Sequence, residues 1–272
     1  MKTIKEYKLV KFLDKGTFGK IYLAKKRNNP QLYAAKVLDK KRMNSPALKK
    51  YSEREISILE KLSHPNIVEY YEKLEDDSSY YFIIEYCNGG TLSENIKKYF
   101  SKTNEPFSIE IIQNFMRQII SAFCHIHSKR IIHRDIKLEN ILLSYDNEND
   151  KKDMNLMKAK VKIIDFGMAI EIGPDGQAYT IVGSPNTMAP QILKKIEDTE
   201  ELEQQKGYNE KADIWSLGVI FYQLLTGQGI FQAHNMEELM KKVEEGNYSV
   251  PINKNFSKEA ISFLNCMLQY NP

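Results

Sequence analysis

Two short polar strings, each set against an apolar run, constrain this chain more than anything else in it. His133-Arg134-Asp135-Ile136-Lys137-Leu138-Glu139-Asn140 follows a helical pattern and precedes Ile141-Leu142-Leu143. Asp165-Phe166-Gly167 comes 25 residues after Asn140 and follows the strand-like run Val161-Lys162-Ile163-Ile164. Carboxylates at strand ends, with an asparagine oxygen nearby, are hard oxygen ligands of the kind Mg²⁺ accepts together with phosphates. A further aspartate near an acceptor can take up a hydroxyl proton. Either string alone reads as a charged surface turn or an ordinary tripeptide. Both in this order do not.

The rest of the chain divides into a strand-rich first part and a helical second part. Tyr7 to Leu13, Lys20 to Lys25 and Leu32 to Leu38 carry the apolar, β-branched and aromatic residues that strands favour, and so do Ile67 to Glu72 and Tyr80 to Tyr86. Gly16 and Gly19 interrupt the first pair, and Asn28-Asn29-Pro30 turns the second. Between them, Ser45-Pro46 and Ser52 offer helix starts, Ile56, Leu59 and Leu62 mark one apolar face, and His64-Pro65 is the expected stop. Cys87-Asn88-Gly89-Gly90 reads as a hinge. Beyond it, Ile112, Phe115, Ile119, Phe123 and Ile126 predict a long helix that buries one stripe. Asp213 to Thr226 is apolar on nearly every side and predicts a buried helix, and Ser257 starts a last helix expected to run to the chain end. Asp146 to Asp153 and the acidic Glu197 to Gln205 read as solvent loops.

Three further residue sets carry chemistry. Glycines between strands, as in Gly16-Thr17-Phe18-Gly19, let backbone amides approach a polyphosphate, although a plain hairpin turn explains them equally well. Lys36, inside the strand Tyr33-Ala34-Ala35-Lys36-Val37, is either a snorkelling edge residue or a phosphate clamp one hairpin later. Glu55 closes the pattern Ser52-Glu53-Arg54-Glu55, a capping box, and is also open to an ion pair with Lys36.

Taken together, these motifs resemble the eukaryotic protein kinase family, serine/threonine branch, over Tyr7 to Pro272. The match also includes Gly183-Ser184-Pro185 through Met188-Ala189-Pro190 and Asp213-Ile214-Trp215-Ser216-Leu217-Gly218. Glu85-Tyr86-Cys87-Asn88-Gly89-Gly90 and Gly183-Ser184-Pro185 are similar to autophagy-initiating, Unc-51-like kinases. The resemblance implies an α+β bilobal fold with a small, mainly-β N-lobe carrying one helix (1–86), a hinge (87–90) and a larger, mainly-α C-lobe (91–272), incomplete at its end. It implies ATP and Mg²⁺ as cofactors and a protein substrate carrying Ser or Thr. By the same resemblance Lys36, paired with Glu55, grips the α and β phosphates and Asp135 is the base. Lys137 lies against the γ-phosphate, and Asn140 and Asp165 hold Mg²⁺. Leu13, Ile21, Ala34 and Leu142 sandwich the adenine, Glu85 and Cys87 meet its edge, Ile84 is the gatekeeper, and Gly16 and Gly19 cover the phosphates. Because Lys36, Glu55, Asp135, Asn140 and Asp165 are all present, an active enzyme is expected over a nucleotide-binding pseudokinase or scaffold.

Some positions depart from the family pattern. Asp14 replaces a loop glycine, Thr187 a tyrosine, Ile230 a proline, and Gln191 the glutamate of Ala-Pro-Glu. The arginine that pairs with that glutamate falls beyond Pro272, so an unclosed, poorly stable large lobe is expected. Arg134 suggests regulation through a phosphate on the loop between Asp165 and Pro190, with Thr180 the leading phosphosite ahead of Ser184 and Tyr179. Glu139 matches a position that attracts arginine before the acceptor, but Thr91 and Gln223 lack acidic partners, which disfavours a strongly basophilic enzyme. No EF-hand loop occurs within the chain.

Composition bounds the alternatives. A net charge of +3 over 272 residues leaves no nucleic-acid footprint, and 33 of the 39 cationic residues are lysine, a diffuse surface charge. Cys87, Cys124 and Cys266 are far apart, which disfavours zinc or disulfide frameworks. With no apolar run long enough to span a membrane and no secretory signal pattern, a cytoplasmic or nuclear location is expected.

Overall fold

The computed structural model describes residues 2–16, 19–42, 45–197, 207–246, 248 and 257–270. Thr17-Phe18 of the glycine turn, most of the acidic Glu197 to Gln205 stretch and Asn271-Pro272 lie outside the described residues.

A six-stranded antiparallel sheet forms the first part. Its strands are β1 (Thr3–Ile4), β2 (Tyr7–Lys15), β3 (Lys20–Lys26), β4 (Leu32–Asp39), β5 (Tyr70–Glu75) and β6 (Ser79–Glu85), in the order β1-β2-β3-β4-β6-β5. The β3–β4 register sets Ile21 opposite Lys36 and Leu23 opposite Ala34, and the β4–β6 register sets Ala34 opposite Ile84. Because side chains alternate across a strand, Ala34 and Lys36 share one face while Ala35 and Val37 take the other. That second face closes over a small core of Tyr7, Leu9, Ala24, Tyr33, Leu74, Tyr81 and Ile83.

Helix α1 (Pro46–Leu59) crosses between β4 and β5. It starts once, after Ser45, where proline at the first helical position is pre-organised for the helix. Ser52 is buried inside the helix, so the capping-box reading of Ser52 and Glu55 is corrected: Glu55 is a mid-helix residue turned onto β4. The helix also stops at Leu59, ahead of His64-Pro65. The strand expected from Ile67 begins at Tyr70 instead, because Ile67 makes a parallel bridge to Ile163 and Val68 donates to the Ile163 carbonyl at 3.0 Å. This contact ties the first part of the chain to the strand that leads into Asp165.

From Thr91 onward the chain is mainly helical, the expected α+β division. Thr91 caps α2 (Leu92–Thr103) with a reciprocal capping box to Glu94. Then come α3 (Ile109–Ser128), β7 (Ile131–Ile132), β8 (Ile141–Ser144), α4 (Glu148–Lys152), β9 (Lys160–Ile163) and β10 (Ile170–Glu171). The last helices are α5 (Pro190–Glu197), α6 (Lys211–Thr226), α7 (Met236–Glu244) and α8 (Lys258–Met267). The stripe Ile112, Phe115, Ile119, Phe123 and Ile126 is buried, and α6 is buried along most of its length. One core runs from Ile58 and Leu62 near the end of α1 through α3 and α6 to Leu264 of α8.

Two corrections concern the surface. Asp146 to Asp153 is not a loop but contains α4, because the Asn147 side chain accepts from Asp150 N–H and caps a turn with acids first and lysines last. The final helix does not run to the chain end but stops at Met267.

Candidate active site

The polar string after α3 is positioned by a buried carboxylate. Asp213, fully buried in the first turn of α6, accepts from His133 N–H and Arg134 N–H at 2.9 Å each, and its Oδ2 lies 2.9 Å from His127 Nε2. Taking two backbone donors from consecutive residues holds Arg134 at φ +69°, a left-handed conformation that costs a non-glycine residue about 1 kcal/mol or more. The turn aims Asp135 outward. The sequence marks Asp213 as the start of an apolar helix and of a family motif but gives it no role in the site; the available signal is one acid opening an otherwise apolar run.

Asp135 is surrounded by donors. Its Oδ1 accepts from Ser184 Oγ at 2.7 Å, and its Oδ2 accepts from Lys137 Nζ at 3.0 Å and from Asn140 Nδ2 at 3.3 Å. Lys137 Nζ also donates to Ser184 Oγ at 2.6 Å. Asn140 Nδ2 donates to the Asp135 carbonyl at 2.7 Å, which leaves Asn140 Oδ1 without a protein partner among the described residues.

Asp165 joins this group through backbone pairing. The β8–β9 register sets Ile141 opposite Ile163, and Ile164 N–H donates to the Asn140 carbonyl at 3.0 Å, which draws Asp165 alongside Asn140. Asp165 is also left-handed, at φ +63°, and Phe166 beneath it is fully buried, edge-on to the His133 ring at 5.0 Å.

From the sheet, Lys36 Nζ reaches both oxygens of Glu55, at 2.6 and 2.7 Å. Burial works against the Lys36 charge, but the Glu55 and Asp165 carboxylates outweigh it and hold its pKa above the ordinary lysine value. The effect of Asp165 on Lys36 brings these residues from distant stretches near one another.

The residues expected beside adenine lie around the chain crossing. Leu13, Ile21 and Leu142 are half-buried and Ala34 is buried. Gly89 N–H donates to the Leu143 carbonyl, and Leu143 N–H donates to the Gly90 carbonyl, at 2.8 and 2.9 Å, which seats the crossing on β8. The Cys87 N–H and carbonyl have no backbone partner among the described residues. Burial, aided by Glu85, pushes the Cys87 thiol up to about 12. The Glu85 side chain turns away to Lys162 Nζ at 2.7 Å. The two loop glycines differ. A Cβ on Gly19 would sit 2.3 Å from the Val37 carbonyl oxygen, whereas one on Gly16 would meet nothing nearer than 3.8 Å. Gly19 is therefore required by β4 packing itself.

Among the described residues none of the departures bonds the side chain of Asp135, Lys137, Asn140 or Asp165. Asp14 accepts from its neighbour Lys15 N–H at 2.7 Å, Thr187 Oγ1 donates to the Ser184 carbonyl at 3.2 Å, and Ile230 is buried. Gln191 Oε1 is buried without a hydrogen-bond partner among the described residues, beside a cavity of about 370 Å³ lined by Trp215, Cys266 and Met267.

Arg134 joins the site to the segment before Pro190. Its Nη1 donates to Thr180 Oγ1 at 2.5 Å and to Tyr208 OH at 3.2 Å, and its Nε donates to the Met168 carbonyl at 2.6 Å. Thr180 and Tyr179 are exposed, whereas Ser184 is occupied by Asp135 and Lys137.

The donor set suits magnesium held together with phosphate. Among the described residues no cluster of three or more His, Cys, Asp or Glu side chains would hold a metal ion alone. Asp165 and Asn140 Oδ1 offer two hard oxygens, and Mg²⁺ characteristically completes its shell with waters and phosphate oxygens.

Comparison with known proteins agrees with this geometry. The family described as "Protein kinase domain" matches residues 7–272. The chain is 38% identical over 90% of its length to Calcium-dependent protein kinase 5 of Plasmodium berghei, covering 39% of that protein. It is 34% identical over 98% of its length to CBL-interacting serine/threonine-protein kinase 12 of Arabidopsis thaliana, covering 49% of it. It is 31% identical over 99% of its length to Serine/threonine-protein kinase PLK4 of Danio rerio, covering 26% of it. The chain thus spans about a quarter to a half of the length of these relatives. With a family match across nearly all its residues and the family's polar strings gathered into one cleft, the chain belongs to the protein kinase family.

Proposed function

We propose that this domain transfers the γ-phosphate of Mg-ATP to serine or threonine hydroxyls of protein substrates. The observation that carries the reading is the hydrogen-bonded group of Asp135, Lys137, Asn140 and Ser184, with Asp165 beside it and Lys36 bound to Glu55 across the cleft. The relatives bearing serine/threonine kinase names agree with it.

In the proposed mechanism Asp135 accepts a hydrogen bond from the substrate hydroxyl, orients its oxygen and takes its proton as the new bond forms. Ser184 and Asn140 hold the carboxylate in place. Lys137 neutralises charge on the transferred group, and Lys36, kept charged and immobile by Glu55, binds the remaining phosphates. Asn140 and Asp165 would hold Mg²⁺, which when bound supplies charge neutralisation between phosphate oxygens. Leu13, Ile21, Ala34 and Leu142 pack the adenine, and Glu85 and Cys87 offer it backbone groups. Residues 1–86, 87–90 and 91–272 act as small lobe, hinge and large lobe. No helix among the described residues is long and apolar enough to cross a membrane, and a cytoplasmic location is part of the proposal.

Thr180 is proposed as the regulatory phosphosite, supported by its exposure and its bond to Arg134. Comparing Thr180→Ala with fully phosphorylated wild type tests it; equal rates reject the site. Incubation with γ-labelled ATP, Mg²⁺ and a peptide library tests the activity. Label on serine or threonine peptides is expected. Nucleotide binding without transfer would mark a scaffold, and labelled small metabolites a different enzyme.

A further inference from the structure

Lys195 and Arg134 bring cationic N–H groups to the same stretch of the segment before Pro190, and each leaves one unmatched. Lys195, in the last turns of α5, has its Nζ shut off from solvent without a hydrogen-bond partner. That Nζ sits 5.4 Å from the centre of the Tyr208 ring and 5.9 Å from that of Tyr179. The Tyr208 hydroxyl donates to the Thr180 carbonyl at 2.7 Å and accepts from Arg134 Nη1, while Arg134 Nη2 is buried and unpartnered. Tyr208 and Ala178 exchange two backbone bonds, at 2.7 and 2.9 Å, which hold this arrangement against the loop. Thr180 itself remains exposed.

An ammonium withdrawn from water ordinarily finds an anion, and among the described residues this one meets two aromatic rings and no hydrogen-bond acceptor. The rings beside it are those of Tyr179 and Tyr208; the Tyr208 hydroxyl accepts in turn from Arg134, and the Tyr179 hydroxyl donates to Asp175 at 2.8 Å. Burial lowers the Lys195 pKa. Two buried donors without acceptors among the described residues, Lys195 Nζ beside the Tyr208 ring and Nη2 of the Arg134 guanidinium bonded to the Tyr208 hydroxyl, describe a receptor lacking its anion.

We propose that Lys195 is a positioning residue that, with Arg134 Nη2, receives a phosphate carried by Thr180 and thereby couples α5 to the catalytic segment. This rests on Thr180 being the phosphosite; what it adds is the second cation and the helix that supplies it. In the modification, Thr180 Oγ bonds to the γ-phosphorus of ATP as the bond to the ADP oxygen breaks and the hydroxyl proton is released. The product is close to a dianion near pH 7.

The test is a ³¹P NMR pH titration of protein carrying phosphothreonine at 180, introduced during translation, in wild-type, Lys195→Met and Lys195→Arg forms. A cation close to the phosphate favours its doubly charged form. The wild-type midpoint is therefore expected below the ordinary value of about 6. It should move up by roughly half a pH unit or more in Lys195→Met and stay low in Lys195→Arg. Melting adds a second readout: phosphorylation should raise Tm in wild type and less in Lys195→Met, while the unphosphorylated Met form melts no lower than wild type. Superimposed titrations for wild type and Lys195→Met overturn the assignment of Lys195. Failure of the phosphosite reading shows separately, as equal activity of Thr180→Ala and wild type after exposure to Mg-ATP.

Discussion

Ser184 Oγ donates to Asp135 Oδ1 at 2.7 Å while accepting from Lys137 Nζ at 2.6 Å, so the segment before Ala189-Pro190 is bonded directly to the proposed base and its neighbouring cation. Removing that hydroxyl leaves Asp135 and Lys137 to each other and loosens both. Ser184→Ala is expected to lower kcat by about 10- to 100-fold with little change in KM for ATP, because positioning is lost and nucleotide contacts are not. Ser184→Thr keeps the hydroxyl and should retain most of the rate. Steady-state kinetics on a peptide substrate checks both.

The Lys36–Glu55 pair carries a pH signature. Burial opposes the Lys36 charge, but Glu55 and Asp165 more than compensate, so Lys36 titrates higher folded than unfolded. Its contribution to stability is then complete below the unfolded value of about 10.4 and lost as pH rises through the raised folded value. The denaturation-midpoint difference between wild type and Lys36→Met should be constant from about pH 7 to 9 and shrink only above about 10.4. A difference already shrinking near neutrality would mean that Lys36 loses its charge there.

Asp213 is expected to matter for stability as much as for catalysis. Asp213→Asn turns an amide N–H₂ toward one of the two backbone donors it now satisfies, a buried mismatch costing about 2–4 kcal/mol. A Tm several degrees below wild type, with turnover reduced even well below that Tm, is the expected result of melting and rate measurements on one preparation.

How much of this was legible in the sequence follows from the reach of each contact. Asp135 and Asn140 lie within one short string, and α3 and α6 carry long periodic or uniformly apolar runs, so local reading marked them as candidates; the role of Lys137 in the same string came from the family resemblance. Ser52 and Glu55 showed a valid local capping pattern, but Pro46 had already started the helix and tertiary contact with Lys36 decided what Glu55 does. Ile67 had strand composition, yet its partner is Ile163 in another part of the chain. Asp213 bonds residues about 80 positions away. The proximity of Lys195 to Tyr179 and Tyr208 likewise depends on folding, and no spacing rule reveals it.

The most direct measurement compares wild type with Asp135→Asn for transfer of labelled γ-phosphate to a peptide and, separately, for nucleotide binding. An amide keeps the shape of the side chain but cannot take the hydroxyl proton. Binding is expected to stay within a few-fold of wild type while turnover falls by about 10²- to 10⁴-fold. Near-normal turnover in Asp135→Asn would contradict the assignment of Asp135 as the base and with it the proposed chemistry of the cleft.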